Sequence, residues 1–300
     1  MYQLVEFAKT IRLSHTLFAL PFAAGTALLA EPPCPGWRNL LLLLVCMVTA
    51  RTAAMGMNRV ADAALDARNP RTADRAIPAG RLSRRAALAM TLASGAAFLA
   101  AAWGFYLLRG NWWPGVLAPA FLVVLFGYSW TKRFTALAHW VLGLCLGLAP
   151  VGVWIALRGE IAALPVFIGE AVMFWTAGFD IFYAFQDIEV DRREGLHSMP
   201  ARAGSETARR ASAISHIATM AFLAPTPFLS GQLYERVGMA SLVALVVIAL
   251  TLAIEHIRAR RQTDAEVGAT FFPINAFVSM IWFVGVFLDV VMRLEMRVWS

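Results

Sequence analysis

Charge is what this chain has least of. Only 15% of its 300 residues are charged, where about a quarter is usual in a soluble domain. With 59% hydrophobic residues and a mean hydropathy of +0.64, that scarcity excludes an ordinary water-soluble domain. Cysteine is scarce too. Cys34, Cys46 and Cys145 are odd in number and show no CxxC spacing, which argues against a disulfide framework or a thiolate metal site and leaves them as apolar fillers. No His/Cys cluster of zinc type is present. The net charge of +7 would suggest nucleic acid in a soluble protein. Here no soluble segment interleaves basic and aromatic residues, so no nucleic-acid partner is expected.

Long apolar runs are abundant instead. Nearly charge-free stretches cover 13–30, 39–57 (interrupted by Arg51), 86–108, 110–131, 134–157, 161–186 (interrupted by Glu170 and Asp180), 211–234, 237–254 and 267–288. Each approaches the roughly 17–25 residues of a spanning helix. The pattern predicts an all-α, polytopic membrane protein with nine transmembrane helices, a single domain over 1–300. The first run lacks a small-residue cleavage site and continues into "EPPCPG", so it reads as a span and not as a cleaved signal peptide. Basic residues gather at the N-terminus and in the loops after every even-numbered helix, while the opposite loops hold Arg38, Arg109, Arg158 and Arg236, one each. The positive-inside rule then places the basic loops in the cytoplasm, with the chain in a bacterial-type inner (plasma) membrane.

What charge there is concentrates in two of those loops, about 58–84 and 187–207. In the first, Asn58, Asp62 and Asp66 recur every fourth residue; in the second, Tyr183, Asp187 and Asp191 do. Residues four apart share a helix face, with about 5–6 Å between Cβ atoms, so each set continues a helical stripe out of the membrane. Carboxylates at that spacing repel unless a cation lies between them. Oxygen-only donors beside phosphates suit Mg²⁺. Arg68, Arg71 and Arg75 follow the first set, Arg192, Arg193 and Arg202 the second, and Lys132 with Arg133 fills "YSWTKRFT" after the fourth helix. Guanidinium forks bind phosphate oxygens two at a time. Acids for Mg²⁺ beside bases for oxyanions is the arrangement a diphosphate requires.

Polar residues inside the apolar runs are costly in hydrocarbon and therefore functional candidates. Arg51 lies seven residues before Asn58, Asp180 seven before Asp187, and Arg12 just ahead of the first uncharged run. Two readings of Arg51 stand. Either it pairs with Asp180, or it holds a substrate carboxylate, with or without Arg12. Glu170 reads as a structural pair or a snorkelling residue.

On these paired motifs the chain resembles the UbiA superfamily of intramembrane prenyltransferases. "NPRTADRAIPAG" and "YAFQDIEVDRREGLHSMPARAG" are most similar to its bacterial 4-hydroxybenzoate polyprenyltransferase-type branch. The resemblance covers most of the chain and implies a helical bundle around a central cavity, capped by the motif loops. It implies that Asn58, Asp62, Asp66, Asp187 and Asp191 hold Mg²⁺ and the diphosphate, with the four aspartates as catalytic metal ligands. Arg71 and Lys132 would contact diphosphate oxygens, Tyr183 and His197 would lie on the substrate, and Arg51, Arg12 or both would hold the acceptor's carboxylate. Two positions depart from the family pattern: Arg59 stands where many members have aspartate, and His197 where many have lysine.

The activity so implied is Mg²⁺-dependent transfer of a polyprenyl group from polyprenyl diphosphate to the ring of an aromatic acid, in ubiquinone or menaquinone synthesis. The bilayer would receive the tail. A dihydroxynaphthoate acceptor of the futalosine route is the alternative; haem or chlorophyll acceptors match these loops less well. A transporter gated by Arg51, Asp180 and Glu170 is the competing class, but the sequence lacks Gly/Pro-broken helices in matching halves. Mg²⁺-dependent pyrophosphate release separates the two.

Overall fold

Apolar segments become helices here because hydrocarbon offers no partner to backbone N–H and C=O groups, which must bond within their own segment. The computed structural model describes residues 2–11, 19–234 and 238–298, and no strand occurs among them. The chain order is α1 (Tyr2–Ile11), α2 (Leu20–Ala30), α3 (Trp37–Asp66), α4 (Arg84–Arg109), α5 (Trp113–Thr131), α6 (Ala138–Arg158) and α7 (Ala163–Ala184). It continues with α8 (Ile188–Arg193), α9 (Met199–Ala203), α10 (Ser205–Leu223), α11 (Thr226–Tyr234), α12 (Met239–Ala259) and α13 (Asp264–Val298). Among the described residues, eight spans are long and apolar enough to cross a membrane, with α7 and α8 counted as one and α10 and α11 as another. The first apolar run is described only as α2, eleven residues long. The nine expected runs thus appear as eight long spans and one shorter helix. Arg12 lies outside the described residues.

Local chemistry sets the helix ends. Ser83 caps α4 by accepting from Ala86 N at 3.2 Å, and Gly110 ends it with φ +69°, a conformation that glycine adopts without penalty. Asn111 then donates to the carbonyls of Ile155 (2.7 Å) and Ala156 (3.1 Å) near the end of α6, where carbonyls run short of helical partners. Asp289 of α13 serves the start of α12, accepting from Ala240 N at 2.8 Å and Ser241 N at 2.9 Å. Glu170 is half-buried and has no polar partner among the described residues, so of its two readings, structural pair or snorkelling residue, the pair is not found there.

The most buried span is α7, flanked chiefly by α6 and α10. Its Trp175 meets Phe22 of α2 at 5.3 Å, and Phe22 meets Trp282 of α13 at 4.8 Å. Trp175 also donates to Asn275 Oδ1 (2.8 Å), which in turn donates to Glu255 (2.9 Å), a polar chain tying α7, α13 and α12. Outward positions such as Leu107, Val123, Ile217 and Val243 are exposed and apolar, as a lipid-facing surface requires.

Small residues let α6 and α7 approach closely. A Cβ on Gly143 would lie 2.1 Å from the Met173 carbonyl oxygen, whereas one on Gly152 of the same helix meets nothing within 4 Å. Gly143→Ala should therefore force the helix backbones apart, an overpacking cost of about 1–3 kcal/mol, and lower Tm in detergent by several degrees. Gly152→Ala should leave Tm unchanged or raise it, since alanine is the better helix former. Equal Tm values for the two variants would refute the close-contact account.

Candidate active site

The site is built where α3 and α7 emerge beneath the two charged loops. α3 runs unbroken for 30 residues, about 45 Å at 1.5 Å per residue, and carries Asn58, Asp62 and Asp66 on one face. Asn58 Nδ2 donates to Asp62 Oδ2 at 3.2 Å. The second stripe is not continuous as expected. α7 stops at Ala184, Asp187 sits in a 3-10 turn over Phe185–Asp187, and Asp191 follows in α8. Phe185, at the start of that turn, is 3% exposed, clustered with Ile181, Phe182 and Ile188, and covered by the Arg209 guanidinium at 5.0 Å.

That turn aims Asp187 at the other loop. Asn69 Nδ2 and Arg71 Nε each donate to Asp187 Oδ1 at 2.9 Å, Arg71 Nη2 donates to Asp187 Oδ2, and Arg71 Nη1 donates to Tyr183 Oη at 3.0 Å. Burial disfavours the Arg71 charge, but the Asp187 and Tyr183 contacts outweigh it, and its pKa is raised. Further links join the loops: Arg193 donates to the Arg68 carbonyl at 2.8 Å, and Arg68 pairs with Glu194 at 2.8 Å. Asp66 accepts from Arg75 at 2.7 and 2.9 Å. Asp62, with its side chain 3% exposed, pairs with Lys132 at 2.7 Å and Arg133 at 3.5 Å. No protein cation reaches Asp191 within 4 Å among the described residues.

These groups enclose a cavity of about 270 Å³, lined by Arg51, Asn58, Asp62, Asp66, Arg71, Lys132, Asp180, Tyr183, Asp187 and Asp191. A second, apolar cavity of about 220 Å³ opens from it between α3, α4, α5 and α6. The two share Arg51, Met55, Tyr128, Leu142 and Leu146. His197 is the exception among the described sequence-derived site residues, since it does not line either cavity. Its backbone N–H donates to the Lys132 carbonyl at 2.7 Å, while its neighbours Leu196 and Ser198 face the polar cavity.

Of the two readings of Arg51, the pairing with Asp180 is not found among the described residues. Asp180 accepts from His139 at 2.7 Å, and no ion pair joins it to Arg51. The Arg51 Nε is buried without a partner, and no polar partner for its guanidinium is found among the described residues. Sequence reasoning missed His139, Asn69 and Tyr128. Asn69 and Tyr128 carry no recurring spacing. His139 was findable as a polar residue near the start of an apolar run.

Oxygen donors dominate the polar cavity, and no three His, Cys, Asp or Glu side chains converge in a metal-binding arrangement among the described residues. The donors present are oxygens, the type that Mg²⁺ takes from carboxylates, phosphates and water.

A sequence model of the UbiA prenyltransferase family matches residues 18–282. A 4-hydroxybenzoate octaprenyltransferase of Thiobacillus denitrificans is 30% identical over 88% of this chain and 86% of its own. A protoheme IX farnesyltransferase of a Bradyrhizobium species is 30% identical over 80% of this chain and 77% of its own. Among solved structures, the apo UbiA homologue of Aeropyrum pernix K1 superposes with a TM-score of 0.80 at 32% identity, covering 93% of this chain and 98% of that one. The Archaeoglobus fulgidus UbiA homologue bound to DMAPP and Mg²⁺ shares the fold, with a TM-score of 0.67 at 20% identity over 94% and 99% of the chains.

Proposed function

Because the chain belongs to the UbiA prenyltransferase family, we propose that it transfers a polyprenyl group from polyprenyl diphosphate to a ring carbon of an aromatic acid of the 4-hydroxybenzoate type. One observation carries the choice of acceptor. Half-buried Arg51, its Nε buried without a partner, stands at the junction of the polar and apolar cavities, and a carboxylate is the natural partner of a guanidinium. A one-ring acid also suits a 270 Å³ cavity better than the tetrapyrrole used by protoheme relatives. A dihydroxynaphthoate would satisfy Arg51 equally and is the second acceptor to test.

Asp62, Asp66, Asp187 and Asp191 would hold Mg²⁺ with the diphosphate, and Asn58 would orient Asp62. When bound, Mg²⁺ supplies neutralisation of the departing pyrophosphate's charge. Arg71 and Lys132, now on Asp187 and Asp62, would turn to phosphate oxygens once those carboxylates take a metal. Tyr183 keeps Arg71 in place and presents its ring to the site. Aromatic faces stabilise an allylic cation, and the apolar cavity keeps water from it. That cavity also receives the proximal part of the tail, so the bilayer need accept only the remainder. The basic motif loops would face the cytoplasm from the inner membrane.

The test is incubation of membranes carrying the protein with a polyprenyl diphosphate, Mg²⁺ and a panel of 4-hydroxybenzoate, a dihydroxynaphthoate and protoheme, followed by mass spectrometry of the lipid extract. Prenylated 4-hydroxybenzoate is expected. Product from protoheme alone would overturn the reading.

A further inference from the structure

We propose that Asp180, held in place by His139, takes the hydroxyl proton of the acceptor as the new carbon–carbon bond forms. The proposal rests on the reading of the acceptor as a phenolic acid and adds to it the group that raises the ring's nucleophilicity.

The hydrogen bonds fix the state of the pair. His139, its side chain 5% exposed, accepts the Met199 backbone N–H at Nε2 (3.1 Å). A backbone N–H can only donate, so Nε2 carries the lone pair and Nδ1 the hydrogen. Nδ1 then donates to Asp180 Oδ2 at 2.7 Å, which orients the carboxylate and leaves Oδ1 with no partner among the described residues. Asp180 is 24% exposed, into the cavity that Arg51 also lines. The other carboxylates, Asp191 apart, are occupied: Asp62 by Lys132, Asp66 by Arg75 and Asp187 by Arg71. A cation on the α3 wall and an anion on the α7 wall line one cavity without pairing, so one aromatic acid has separate partners there for its carboxylate and its hydroxyl.

The step balances. Asp180 Oδ1 takes the phenolic proton while the ortho carbon bonds to C1 of the allylic group. The C1–O bond breaks, and its electron pair leaves with pyrophosphate. The product of this step is a neutral cyclohexadienone. It loses its ring C–H proton to pyrophosphate as Asp180 returns its own proton to the oxygen, which restores the phenol and the carboxylate.

Asp180→Asn is isosteric, and its amide oxygen still accepts from His139, so the variant removes the base and keeps the hydrogen bond. With 4-hydroxybenzoate, kcat should fall about a hundredfold or more, the range of a positioned general base. With 2,3,6-trifluoro-4-hydroxybenzoate, whose fluorines favour ionisation of the hydroxyl while one ortho C–H stays free for the new bond, the wild-type to variant ratio should shrink to about threefold. His139→Leu should lose about tenfold on 4-hydroxybenzoate, and His139→Gln, which retains an N–H donor, should recover most of it. Wild-type kcat in Asp180→Asn, or an equal loss on both acceptors, would overturn the proposal while leaving the acceptor assignment intact. If Asp180→Asn does not accumulate, the same two-acceptor comparison in His139→Leu decides: an undiminished loss on the fluorinated acid counts against it. Absence of product from the wild-type protein with both acids would instead overturn the phenolic-acid reading, and this proposal with it.

Discussion

Chelation by EDTA is expected to bring prenyl transfer to background, and excess Mg²⁺ to restore it. Asp62→Ala and Asp191→Ala should each lose at least about a hundredfold in kcat, the scale of removing one electrostatic stabiliser of developing charge. The two variants differ usefully. Asp62 is buried under Lys132 and Arg133, so its removal also strands two cations and disturbs the loop after α5. Asp191 has no such protein cation among the described residues, and its replacement breaks no ion pair. A loss in Asp191→Ala of the same size as in Asp62→Ala therefore reports on chemistry and not on folding. Undiminished turnover in EDTA would sink the metal assignment for all four aspartates.

Arg51→Leu is expected to raise the KM for the aromatic acid about tenfold or more while changing the KM for polyprenyl diphosphate little. Hydrogen bonds to charged groups contribute roughly 1.5–3 kcal/mol, and one such contact to the carboxylate accounts for a change of that size. The structure sharpens the expectation about folding. Arg51 has no protein partner among the described residues, and Asp180 is held by His139, so the leucine variant should accumulate at least as well as wild type. A parallel rise in both KM values, or poor accumulation with normal kinetics, would show that Arg51 acts elsewhere.

Much of the fold was legible because a bilayer imposes one rule on every segment. A run of about twenty apolar residues must close its own backbone hydrogen bonds, and the runs over 39–57, 86–108 and 134–157 appear in α3, α4 and α6. Length decided where the reading loosened: α2 spans only Leu20–Ala30 within the described residues. The first motif was legible for a similar reason. Its four-residue spacing is a helix period, α3 continues through it, and Asn58, Asp62 and Asp66 stay on one face. The second motif has the same spacing, but the chain passes through a 3-10 turn at Phe185–Asp187, and Phe185 is buried there against residues of other helices that no local spacing reveals.

The sequence by itself determined which residue types meet at the membrane edge: carboxylates at helical spacing with arginines after them, and an arginine left within an apolar run. Composition and period are local properties, so one sequence displays them. Only the tertiary structure decided who pairs with whom. Asp187 with Arg71 across more than a hundred residues, Asp180 with His139 in place of Arg51, and His197 outside the lining of both cavities all follow from how α3, α5, α6 and α7 converge. A polar group buried among helices must take whichever partner that convergence brings within about 3 Å, and no spacing along the chain encodes that distance.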